Sequence, residues 1–435
     1  MTRMNPMYAL AALLFSASTA LASDLDAEVD PDDISDEDGL VTTVPTERAR
    51  AEYAVGHGPR VTFDGGRHVV AITGFLQPSW RMISTPDASG DGNKLDHIVS
   101  VQHAQLGLNG SFVDGRYGVH VLTDFTLGDP LLSAGARYTP HPAITLSVGQ
   151  FQTPTNNREM LLNEGDLTLP ERSALSLAYS QTGRELGVFV DTAVDIGSFA
   201  IRPSLALTSG DGRNSFGTDS RDVDLGGLKW GGRLDVLPLG DFSEGNRDTV
   251  YDRVGETSPR FVLGTGMSYT DGASGPTGEG HGDFFLYDGG GGVQLPDYTQ
   301  LYVDLLFKLR GVSVLVEYAS TAAYGLQGTF TDDVGGNPLV ATQIGELLAL
   351  GQAFNMQAGY FLPIGLSFDA RYTVLVPEFA DNPNSIVGRA SVVGGGITVY
   401  IHDPGARLQT AIHYRNAEDD AKDAVQGEVA VVVRF

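Results

Sequence analysis

The sequence predicts an all-β fold, a 16-stranded antiparallel transmembrane β-barrel, and three observations lead there. Segments with a two-residue alternation of apolar and polar side chains recur from about residue 68 to the end. The connections between them alternate between tight turns and longer polar loops, as they do when a chain crosses a bilayer repeatedly as strands. The last segment, 425–435, places Val425, Gly427, Val429, Val431, Val433 and Phe435 on one side and Gln426, Glu428 and Arg434 on the other. One face suits hydrocarbon and the other water. Pairing of this strand with the first would close the sheet and leave no unpaired edge in lipid.

The region before residue 65 reads differently. Residues 1–22 form a secretory signal, with Arg3 ahead of a short apolar run and Ala20-Leu21-Ala22 as the cleavage site. That run falls short of the roughly 18 apolar residues a spanning helix needs. Residues 23–64 are expected to be a disordered periplasmic segment. Asp24, Asp26, Glu28, Asp30, Asp32, Asp33, Asp36, Glu37 and Asp38 precede the first basic residue of the mature chain, Arg48. Their spacing does not match a calcium-binding loop.

Composition excludes several classes. The 435 residues contain no cysteine, so neither a disulfide framework nor a thiolate metal site is available. A formal net charge of −26 sets nucleic acid aside as a partner. No G-x-S-x-G, H-E-x-x-H or phosphate-binding loop occurs and the histidines are scattered, so no catalytic residue, metal or cofactor is expected. The 55 glycines and 42% apolar content are spread along the chain, as in a large barrel whose turns need Gly and whose strands alternate.

In order, strands are expected over 68–84, 97–113, 116–125, 131–138, 143–151, 183–191, 199–208, 227–237, 260–270, 299–309, 312–320, 353–362, 365–376, 388–402, 407–415 and 425–435. The even count returns the chain to the periplasmic side. Turns near 114, 140, 195, 310, 363 and 404 are short, and loops at 85–96, 152–182, 209–226, 271–298 and 321–352 are long. Residues 240–259 break that rule, being long and charged where a tight periplasmic turn is due.

Charges on the polar face of a strand must point inward, because one on the lipid face costs about 2–4 kcal/mol at the midplane. Arg81, Arg202, Lys229, Arg233, Lys308, Arg371 and Arg415 are therefore assigned to the lumen wall. Two arrangements are open: unpaired, they set a field across the bore; paired with Asp124, Asp235, Asp304 and Asp369, they tie neighbouring strands. Trp80, Tyr117, Phe125, Tyr138, Phe199, Tyr269, Tyr372, Tyr414 and Phe435 fall on the lipid side, many near strand ends where interfacial girdles form.

Ser147-Val148-Gly149-Gln150-Phe151 with Pro154, Gly183-Arg184-Glu185-Leu186-Gly187, and Lys229-Trp230-Gly231-Gly232-Arg233-Leu234 through Pro238-Leu239 resemble the phosphate-selective porins O and P. The resemblance spans about 65–435. It implies a homotrimeric, water-filled outer-membrane channel whose third extracellular loop folds inward, which here is 152–182. Anion selection in that family is attributed to basic residues at the constriction. Here the loop has no lysine, and Arg158 and Arg172 are outnumbered by Glu159, Glu164, Asp166 and Glu171, a departure from the phosphate-selective pattern. The expected function is passive diffusion of small hydrophilic, charged solutes across the outer membrane. The alternatives are a plugged structural or adhesive barrel that binds an external partner through its loops, and a secreted β-rich protein that never meets lipid.

Overall fold

The computed structural model describes residues 49–86, 92–180, 183–214, 226–280, 282–333, 336–380, 382–417 and 423–435. The signal and most of the acidic segment lie outside them. Two short strands come first, β1 (Arg50–Ala54) and β2 (Gly58–Phe63), and pair as a hairpin. The expectation of disorder up to residue 64 is thus corrected for these residues. The hairpin forms because β2 finds a free edge, running antiparallel to residues 68–71 below the point where the closing strand ends.

The barrel strands follow as β3 (His68–Pro86), β4 (Asn93–Phe112), β5 (Tyr117–Asp124), β6 (Leu131–His141), β7 (Ile144–Gln152), β8 (Arg184–Thr192), β9 (Val194–Ile196) and β10 (Phe199–Thr208). They continue as β11 (Lys229–Leu237), β12 (Arg260–Thr270), β13 (Asp297–Leu309), β14 (Val312–Tyr324), β15 (Gly351–Leu362), β16 (Leu366–Pro377), β17 (Ala390–His402), β18 (Ala406–Ala417) and β19 (Ala424–Arg434). β8 and β9 are one stave interrupted at Ala193, both pairing with β10, so the staves number 16. Each pairs antiparallel with the next, and β19 pairs with β3 from Val425↔Ser84 to Arg434↔Phe75. The sheet is closed.

Closure ends on a close fit. Phe435 donates its N–H to the Gly74 carbonyl at 3.0 Å, and Gly74 donates to the Phe435 carbonyl at 2.6 Å. Pro78, which has no N–H, sits where the β3–β4 register shifts by one residue, the bulge that a mid-strand proline requires.

The two faces separate as barrel physics demands. Val99, Leu108, Val121, Val148, Leu205, Trp230, Met267, Val303, Phe368, Tyr372 and Ile412 point outward and are exposed, an apolar surface suited to lipid. Tyr117 stacks on Tyr138, and Trp230 leans on Tyr269, on that same surface. The alternate positions face inward and are largely buried: Gln77, Arg233, Ser268, Asp304, Glu317, Asn355, Arg371 and Gln409. Something other than water fills much of the lumen. Two connections do so, 153–180 from the loop end and 238–259 from the turn end.

Candidate functional site: the constricted bore

Loop 153–180 leaves β7, crosses the bore and returns to β8, carrying helices α1 (Arg158–Leu161) and α2 (Ala174–Tyr179). Its path is fixed by bonds to lumen-facing residues on the opposite staves. Arg158 donates from Nε to Asp304 Oδ1 at 2.6 Å and from Nη2 to Asp235 Oδ1 at 2.7 Å. Arg233 donates to the same two carboxylates at 2.6 and 2.7 Å, and to the Asn156 carbonyl at 3.0 Å. Two guanidiniums and two carboxylates close into a neutral quartet. Arg158 is therefore an anchor and does not present its charge to the bore.

Glu317 on β14 is the second anchor, accepting from Asn157 Nδ2 at 3.0 Å, the Glu159 amide at 2.8 Å and Asn355 Nδ2 at 2.9 Å. The Glu159 carboxylate in turn accepts from the Ser173 amide and hydroxyl at 2.8 and 2.7 Å and from the Ser176 hydroxyl at 2.6 Å, and it pairs with Arg371 at 3.3 Å. Ser173 caps α2, so this one carboxylate ties the start of both helices to β16. The stretch between them, with a single 3-10 turn at Glu164–Asp166, lies along β17 to β19 and β3. Thr398 and Gln409 both donate to the Thr168 carbonyl at 2.9 Å, Gln77 to Pro170 at 2.9 Å and Arg434 to Asp166 at 2.6 Å, while Arg81 pairs with Glu171 at 2.5 Å.

The other edge of the loop, with exposed Asn163, faces β4 and β8. Glu164 accepts from Arg172 at 3.0 Å and from Gln105 at 3.3 Å. Burial alone would raise its carboxyl; the charges of Arg172 and Arg184 outweigh burial and hold it well below the ordinary carboxylate range. Arg172 also donates to the Leu162 carbonyl at 2.8 Å, bracing the turn that aims Glu164.

The wall cations divide by partner. Arg81, Arg233 and Arg371 meet the loop or its anchoring carboxylates. Lys229 pairs with Glu185 at 2.7 Å, and Arg202 with Asp195 and Asp241 at 2.7 and 3.2 Å. Lys308 donates to carbonyls in 238–259. Arg415, at the loop end of β18, is exposed and makes no ion pair among the described residues. Basic wall and acidic loop therefore touch each other, and no field spans open water between them.

Sequence reasoning missed the open arc, from β4 to β10. There Arg137 and Asp191 face inward and stay exposed, Ser204 donates to Asp191 at 2.7 Å, and His120 bonds Asn109 at 2.7 Å. Phe151 stacks on His120, and the Arg137 guanidinium lies 5.2 Å from its ring. The alternation Ala136-Arg137-Tyr138 carried the signal for Arg137, which needed only to be read inward. Toward the turn end this arc widens into a cavity of about 710 Å³ bounded by Asn109, His120, Arg137, Thr145 and the hairpin residues Glu52 and Arg60.

No family model matches the chain, and no curated protein does. Among solved structures, OmpT of Vibrio cholerae in its trimer form, an outer membrane protein, is 12% identical with a TM-score of 0.47, covering 85% of this chain and 99% of that one. The outer membrane channel DcaP of Acinetobacter baumannii is 12% identical with a TM-score of 0.48, covering 86% and 99%. OccK8 of Pseudomonas aeruginosa is 15% identical with a TM-score of 0.39, covering 84% and 98%. The chain's own geometry defines its class: a closed 16-stranded transmembrane barrel with a loop folded into the bore.

Proposed function

We propose that the protein is an outer-membrane porin, a passive diffusion channel for small hydrophilic solutes, charged ones included, and that it assembles as a homotrimer in outer-membrane lipid. The observation that carries this reading is the one-sided attachment of loop 153–180. Most of its bonds run from β11 round to β19 and β3; toward the arc from β4 to β10 Glu164 meets Gln105, and on that arc Arg137 and Asp191 stay open to water. A narrow wetted path on that side admits ions and small polar molecules and disfavours apolar ones. The phosphate-selective likeness is not carried over as a substrate, since the loop's cations are bound to carboxylates. Purified protein in planar bilayers tests the proposal through stepwise ohmic conductance, and cross-linking tests the trimer.

A second reading, a plugged structural or adhesive barrel, is favoured by the density of the packing. Asp304, Lys308, Glu317 and Asn355 are all 2% exposed or less although they face the lumen, as is Asn157 of the loop that covers them. Folded protein that leaves bilayers silent would select this reading over the channel.

A further inference from the structure

We infer that residues 238–259 form a second, fixed constriction element, entering the barrel from its turn end and setting the width of the bore together with loop 153–180. This rests on the channel reading and adds to it the residues that define pore size. The starting observation is a break in alternation. Ala200, Leu237, Val262, Leu306 and Leu315 lie on lumen-facing positions of β10 to β14, yet they are apolar and buried. A wetted wall has no use for them. What covers them is Phe242 and Val250, joined by Leu167 from the loop above. Full burial of such side chains stabilises by about 1.5–3 kcal/mol each, so the segment belongs to the core.

Polar contacts hold it in the same place. Lys308, fully buried on β13, donates to the carbonyls of Asn246 and Thr249 at 2.6 and 2.8 Å and to the Thr249 hydroxyl at 3.0 Å, above the Phe242 ring. Asp252 accepts from Asn246 at 2.6 Å and from the Gly311 amide at 2.7 Å. Tyr251 packs against the touching rings of Phe361 and Tyr400, and its hydroxyl donates to Asp403 at 3.1 Å. The tip reaches the loop itself, with the Val250 amide 3.3 Å from the Asp166 carbonyl. Apart from the Asn246–Asp252 bond, which is internal to the segment, these staples are to barrel wall or loop.

The experiment uses the full chain and two independent measurements. Replacing residues 242–257 by a short Asp-Gly turn should raise single-channel conductance about twofold or more, because an obstruction leaves the lumen. Since the chain has no cysteine, Val250→Cys gives a unique thiol. In folded protein it should resist a membrane-impermeant thiol reagent, while exposed Val254→Cys reacts. A folded deletion variant with unchanged conductance overturns the inference, as does rapid labelling of Val250→Cys. If the deletion does not fold, labelling decides alone. Silence of the native protein with conduction by the deletion variant would contradict the porin reading and support this one.

Discussion

Arg158 of the inward loop and Asp304 of β13 meet at 2.6 Å with the carboxylate fully shielded from solvent, and Arg233 holds the other oxygen of the same carboxylate at 2.6 Å. The loop is thereby fastened to the wall by an ion pair whose members have no other source of counter-charge than each other and Asp235. Removing Asp304 leaves two buried guanidiniums sharing one carboxylate. Asp304→Ala should cost about 3–5 kcal/mol, seen as a lower temperature for the heat-induced gel shift, and should make single-channel current noisier as the loop loosens. Unchanged melting and a quiet trace would mean the pair holds nothing.

On the channel reading, charge selectivity is expected to follow a residue on the opposite arc. Arg137 faces inward, is exposed and makes no ion pair among the described residues. Arg137→Glu should therefore move the reversal potential in a salt gradient toward cation preference. Arg81→Gln, which frees Glu171 at the loop's attached edge, should move it less. Equal shifts for both variants would show that solutes pass on the attached side as well.

Acid should act late. The folded-state pKa of Glu164 is depressed, so the stabilisation it gives is complete above the ordinary carboxylate value of about 4.3 and is lost only as pH falls through the depressed value. Conductance should stay constant from about pH 8 to 4 and change only well below the ordinary carboxylate range, where the Glu164 contact with Arg172 fails. Glu164→Gln should abolish that acid-dependent change. A midpoint between pH 5 and 7, retained in the variant, would assign the effect elsewhere.

Barrel closure brings the Phe435 ring onto the open face of Gly74. A Cβ built on Gly74 would lie 2.1 Å from the Phe435 ring, which stands across the closing pair. Gly74→Val should cost about 1–3 kcal/mol through overpacking, and Phe435→Ala in the same chain should recover part of it. Additive losses in the double variant would place the strain outside this contact.

The fold was legible because lipid imposes alternation strand by strand, and the expected segments match the staves to within a few residues, 260–270 in full and 312–320 as Val312–Tyr324. The inward course of 152–182 came from family likeness, and nothing in the loop's own pattern announced it. Its partners were hidden for a physical reason. Arg158 and Asp304 are 146 residues apart, and no local rule pairs them. The segment 240–259 stood out by length and charge and not as a packed element, although Leu305-Leu306-Phe307 and Val314-Leu315-Val316 are apolar on both faces. A stave greasy on its inner side announces that another part of the chain packs there.

Single-channel recording of the purified, heat-modifiable protein in planar bilayers tests the central claim most directly. The account predicts discrete, ohmic steps that persist at low voltage and grow in proportion to salt concentration. Folded protein that inserts into the bilayer and passes no current would contradict it.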